Sequence, residues 1–209
     1  MLTRFNILAL SICAFFFGNI AQAQEPFVSF KLQNGISFEL PRNWKVIDWN
    51  TRTTLDAAVA AIQPTDLNSE LPFAANLYDY TNKTIALMNV RIYPDMDVYQ
   101  HEVFKFSRSD LFEIDAALEE SLRNAEDTSG VILTNWYGTE RIVIGNKIYL
   151  LSKYRRTSRA NPTSFFRVSL LRLLDGKKSF TVTHSYQEKQ EFLLRPIVDH
   201  IIKSVKTTW

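Results

Sequence analysis

Between residues 131 and 186 the chain runs through a series of short strand-like stretches broken by turn signals, and no other feature limits the fold as much. The stretches are Val131 to Trp136, Thr139 to Ile144, Lys147 to Thr157, Ser164 to Leu174 and Ser179 to Tyr186, with Gly145-Asn146 and Asp175-Gly176-Lys177-Lys178 as hairpin turns. Neighbouring side chains on a strand point to opposite faces. Phe165 and Phe166 are adjacent, as are Leu170 and Leu171, and Tyr149 lies between Ile148 and Leu150, so both faces of the sheet carry apolar groups. Such a sheet has to be covered on both sides. The expected fold is therefore α+β, an antiparallel β-sheet with helices on both faces.

Two segments have the period of a covering helix. Leu111, Ile114, Leu118, Leu122 and Ala125 recur at helical spacing from Ser109 onward, Asp110 and Glu113 are placed to cap the start, and Gly130 follows the end. Near the C-terminus, Leu193, Ile197, Ile201 and Val205 form one row and Leu194, Val198 and Ile202 the next. Pro196 suits a first turn, which predicts a regular helix from about Arg195.

The front of the chain reads as a hairpin whose register follows from its pattern. Val28, Phe30 and Leu32 alternate with polar residues, as do Ile36, Phe38 and Leu40. A two-residue turn at Asn34-Gly35 would set Phe30 against Glu39 and mix the faces. A three-residue loop, Gln33-Asn34-Gly35, pairs Leu32 with Ile36, Phe30 with Phe38 and Val28 with Leu40, and puts Gly35 in the left-handed position. Pro41 ends the second strand and Trp44 folds back over the hairpin. An alanine-rich helix is expected at 53–62, an irregular excursion at 63–82 with Pro64 and Pro72, and a strand from Lys83 to Tyr93.

The N-terminus has a basic Arg4, an apolar run from Ile7 to Phe17 and Ala21-Gln22-Ala23, the order of a secretory signal peptide. The apolar run is far short of the ~20 residues of a spanning helix. Cleavage after Ala23 takes Cys13 and Arg4 away, leaving a single domain at 24–209 without cysteine and lowering the net charge from +2 to +1. That excludes disulfides, a thiolate nucleophile and thiolate-held metals. It also removes any electrostatic case for nucleic acid or an anionic membrane surface. An exported chain without cysteine fits a bacterial periplasm, with no membrane span after signal cleavage.

Gly35, Ser37, Phe38, Leu40, Pro41 and Trp44 at the front match the pattern of the PsbP-like family. At the back the matching residues are Ser179, Phe180, Thr181, Thr183, Ser185, Tyr186, Pro196, Ile201, Ile202 and Ser204. The chain resembles that family over most of residues 27 to 206, and within it the DcrB-type bacterial envelope proteins. The resemblance implies an α/β/α sandwich and an accessory or binding role on a larger assembly; it implies no catalysis.

Few residues offer chemistry. The histidines are His101, His184 and His200, and neither H-E-x-x-H, G-x-S-x-G nor a phosphate-binding glycine loop is present. Asp95, Asp97, His101 and Glu102 are the candidate ligands for a divalent metal. His184 alternates with Phe180, Val182 and Tyr186 and so faces the core as a neutral, hydrogen-bonded residue, while Ser185 points the other way. His200 and Asp199 belong to a solvated helix face. Arg155, Arg156 and Arg159 are candidates for docking an acidic partner, and Phe73, Tyr78 and Tyr80, with Trp49, for an aromatic patch. The expected function is that of a non-catalytic accessory protein, without a cofactor, meeting an envelope protein or complex through 63–82 and 94–107. The alternatives are a divalent-metal binder or metal-dependent enzyme using the 95–102 loop, and a small-ligand or lipid site between sheet and helix.

Overall fold

The computed structural model describes residues 26–48, 50–51, 69–93 and 96–209. The expected signal segment, the 53–62 helix, Trp49 and Asp95 lie outside those residues. Strands β1 (Phe27–Lys31) and β2 (Ile36–Pro41) form the hairpin in the expected register, Phe30 opposite Phe38 and Val28 opposite Leu40. The Leu32 amide closes the loop on the Ile36 carbonyl at 2.8 Å, and Gly35 has φ +82°. No other residue type enters that region so cheaply. A short strand β10 (Lys206–Thr207) pairs with the other edge of β2.

Among the described residues a second sheet has the order β3-β4-β5-β9-β8-β7-β6, all antiparallel. Its strands are β3 (Lys45–Val46), β4 (Glu70–Tyr78), β5 (Thr84–Tyr93), β6 (Val131–Ile144), β7 (Lys147–Ser158), β8 (Asn161–Leu173) and β9 (Ser179–Gln187). The two runs expected at 131–144 are one strand, with irregular pairing near Asn135 and Gly138. β4 overturns the expected irregular excursion from residue 70 onward. Pro72, the reason for that expectation, sits where the ladder breaks between Glu70 and Phe73, a place where its missing N–H breaks no pairing.

The α-helices with both ends among the described residues are α1 (Gln100–Val103), α2 (Arg108–Asn124), α3 (Glu126–Ser129) and α4 (Glu191–Ser204). α2 begins one turn earlier than its apolar row implies: Ser107 is the cap, its hydroxyl taking the Asp110 amide at 3.2 Å while the Asp110 carboxylate takes the Ser107 amide at 2.6 Å. The expected Asp110–Glu113 box is therefore displaced. α4 also starts before its expected first residue, and Pro196 lies inside it. The carbonyl that Pro196 leaves without a helical partner belongs to Phe192, an exposed residue.

The large sheet has two unlike faces. On the first, Phe180 and Val182 of β9, Met88 and Val90 of β5 and Leu171 and Leu173 of β8 pack against the β1–β2 hairpin, Trp44 and the Leu194, Val198, Ile201 and Ile202 stripe of α4. Each fully buried large side chain contributes about 1.5–3 kcal/mol, so this face holds most of the stability. The second face carries the smaller cluster Leu133, Tyr154, Val168 and Leu170, with Leu122 of α2 and Trp136 against it. No residue within α2 is buried, so that helix lies lightly along the β6 side. The side-chain amide of Gln100 ties the sheet's end, accepting from the Ile148 amide and donating to the Ile148 and Leu174 carbonyls at 2.9–3.0 Å.

Candidate functional site

The expected arginine cluster does not form one patch. Arg155 and Arg156 are consecutive in β7, so they leave the sheet on opposite faces. Arg155 binds Glu188 at 2.9 Å and lies over the Phe165 ring, while Arg167 takes the other Glu188 oxygen at 2.8 Å. Arg159 is exposed and pairs with Asp127. The aromatic set divides as well. Phe73 is 4% exposed and packs edge-on against Phe38, so it belongs to the core and not to a surface patch. Tyr78 is half-buried, its hydroxyl accepting from the Asn76 amide at 3.2 Å with the Lys45 ammonium over its ring.

Among the described members of that set Tyr80 alone stands fully in solvent, at the tip of the β4–β5 turn. One Asp79 carboxylate oxygen accepts from the Thr81 amide at 2.8 Å, the Thr81 hydroxyl at 2.7 Å and the Lys83 amide at 3.0 Å. These bonds, the Thr81 hydroxyl first, hold the Asp79 carboxyl below its usual range. Asn82 takes a left-handed φ of 62° to close the turn. The result is a braced turn that presents one aromatic ring.

Of the metal candidates, Asp97 and His101 are exposed, and His101 stacks near Tyr99. Glu102 accepts the Tyr99 amide at 2.8 Å as the cap of α1. Among the described residues no three of His, Cys, Asp and Glu come together to hold a metal ion.

His184 is fully buried on the apolar face, as its alternation predicts, but neither ring nitrogen has a hydrogen-bond partner among the described residues. Burial pushes its pKa down to about 3. Ser185 emerges on the other face, so the pair has no nucleophile–base geometry. His200 meets Glu39 at 2.7 Å across to β2 and lies against the Phe27 ring.

The polar face of the large sheet holds a cleft with room for about 150 Å³, which sequence reasoning did not assemble. Its floor is Leu87 of β5 with Val168 and Leu170 of β8, on either side of β9, and Leu122 and Val131 also line it. Asn89, Thr183, Ser185 and Arg156 supply the polar groups. Arg91, also in the wall, donates to the Ser69 hydroxyl at 2.6 Å. The Arg156 guanidinium lies over the Phe166 ring and, among the described residues, donates to the Ser185 hydroxyl alone, at 3.4 Å. Burial lowers its pKa, and no carboxylate among the described residues pairs with it.

No protein-family model matches the sequence, and no curated protein matches it. Solved structures do match. The solution structure of cyanobacterial PsbP (CyanoP) from Synechocystis sp. PCC 6803 superposes with a TM-score of 0.56 over 87% of this chain and 92% of that one, at 12% identity. The fold is PsbP-like. A Bacteroides thetaiotaomicron structure is similar at a TM-score of 0.47 and 9% identity over 89% of this chain and 49% of that one. LpqN, involved in cell envelope biogenesis of Mycobacterium tuberculosis, is similar at 0.39 and 11% over 88% of this chain and 91% of that one. No helix among the described residues is long and apolar enough to cross a membrane.

Proposed function

We propose that this chain is an exported, periplasmic, non-catalytic accessory protein of the DcrB type that docks on an envelope protein or complex through its β4–β5 turn. The observation that carries the reading is Tyr80, held in solvent by a turn that Asp79 has already ordered. An aromatic ring on a pre-formed turn loses little conformational freedom on binding, so most of its contact energy goes into affinity. The PsbP-like fold and the signal-like N-terminus support the same reading. The acidic partner first suggested by Arg155, Arg156 and Arg159 is narrowed to a rim contact, since only Arg159 combines exposure with a surface position.

The test is photo-cross-linking in cells, with a photoreactive residue at position 80 of the full chain and, as control, at Lys177 on a different exposed turn. The expected outcome is one envelope protein cross-linked from position 80 alone, and loss of saturable binding to that protein by Tyr80→Ala. Equal cross-linking from both positions, or a Tyr80→Ala protein that binds like the parent, refutes the docking turn.

A further inference from the structure

The cleft on the polar face poses a problem of charge. A half-buried guanidinium whose one polar contact among the described residues is a neutral hydroxyl has given up part of its hydration without gaining a counter-ion. The planar donor fork of an arginine suits a carboxylate received through two parallel hydrogen bonds. Arg156 instead points its fork into a cleft whose floor is aliphatic. Among the described residues of the cleft, Arg156 lies beside neutral donors and above an apolar floor, an arrangement that selects a negative charge attached to a hydrocarbon body. About 150 Å³ accommodates a group of benzene size, roughly six carbons, and the cleft is open to solvent, so the end of a longer chain would extend from its mouth.

We infer that this cleft binds a small aliphatic monocarboxylate, its carboxylate received by Arg156 and the Ser185 hydroxyl and its chain lying on Leu87, Val168 and Leu170. Asn89 and Thr183 stand beside the head-group position as further polar neighbours. The site uses the face of the sheet reached from β5, β7, β8 and β9, and it is independent of the Tyr80 turn, so either proposal stands without the other.

Octanoate is the probe, with octanol to test the chain without the charge and acetate to test the charge without the chain, each titrated calorimetrically into the purified protein. Octanoate is expected to bind at one saturable site, with octanol weaker by about tenfold or more, the value of one charged hydrogen bond, and acetate weaker by about tenfold or more because it lacks the methylenes that lie on the apolar floor. Arg156→Met keeps the length of the side chain and removes the charge. It should lose about tenfold or more in octanoate affinity while melting no lower than the parent, because an uncompensated charge is removed. Thr183→Phe fills the cleft, leaves the arginine in place and should also abolish octanoate binding. Undiminished octanoate affinity in Arg156→Met, equal affinity for octanol and octanoate, or no saturable octanoate binding to the parent overturns the proposal.

Discussion

His184 allows a stability prediction with a definite sign. Its imidazole is fully buried between Met88 and Ser169 of the neighbouring strands, both nitrogens lack partners among the described residues, and its pKa is pushed down to about 3 from the ordinary 6.5. In the unfolded chain the same ring takes a proton below about pH 6.5. From that pH downward the unfolded state binds more protons than the folded one, so folding stability falls as the pH falls. The stability is complete above the unfolded pKa and is lost towards the folded pKa. With the folded pKa near 3, each unit below 6.5 removes about 1.4 kcal/mol, so the loss at pH 4.5 is about 3 kcal/mol from this residue alone. Carboxylates titrate in the same range, so the assay is a comparison. Urea unfolding of the parent and His184→Leu at pH 7.0, 5.5 and 4.5 isolates the imidazole. At pH 7 the variant should lie within about 1 kcal/mol of the parent or above it, because it removes two unpartnered polar atoms from the core and replaces them with an apolar group of similar size. At pH 4.5 it should be more stable by about a further 3 kcal/mol. Parallel curves for the two proteins across that range would show that the ring has a polar partner in solution, and the reasoning would fail.

Two further perturbations test the architecture. Gly35→Val should destabilise by about 1 kcal/mol or more, from the left-handed backbone alone and further because a Cβ at this position would press on the Thr208 hydroxyl and the Trp209 ring; an unchanged melting temperature refutes the loop assignment. Gln100→Ala deprives the Ile148 amide and the Ile148 and Leu174 carbonyls of their side-chain partner, at a loss of about 1–3 kcal/mol. Amide exchange should accelerate at Ile148 and remain unchanged in the β1–β2 hairpin, and uniform exchange across the chain would remove Gln100 as a local tie.

Where the sequence was informative, one periodicity left a single choice. The hairpin register follows from alternation alone, because a shift by one residue would turn Phe30 and Phe38 outward. The faces of β9 were readable for the same reason. The start of α2 was not, since Ser107–Asp110 and Asp110–Glu113 both have cap spacing and only the backbone path after Phe106 selects the first. β4 was obscured by Pro72 and by the Ala74-Ala75-Asn76 run, residues with little strand preference; its strand character comes from having β3 on one side and β5 on the other. Within it, Phe73, Ala75 and Leu77 do alternate inward, a signal present but outweighed by the proline. The arginine cluster fails on a rule already in hand, because adjacent residues of a strand cannot share a face.

The cleft was invisible for a different reason. Leu87, Arg156, Val168 and Ser185 are far apart in sequence, and they meet only because β9 inserts between β5 and β8 while β7 follows β8. That strand order divides the duties of β9 between its two faces. Phe180, Val182, His184 and Tyr186 lie on the face that holds the fold together, and Thr181, Thr183, Ser185 and Gln187 on the face that carries the cleft. A carboxylate held at Ser185 would therefore stabilise the strand whose opposite face buries His184. Ligand that binds only the folded state raises stability by mass action and leaves the proton count of the buried imidazole unchanged. At pH values where octanoate stays ionised, saturating amounts should lift the stability curve of the parent without flattening the part of its pH slope that His184→Leu removes. A flattened slope would mean that ligand binding alters the sealed face, and the two faces of the sheet would then have to be treated as one site.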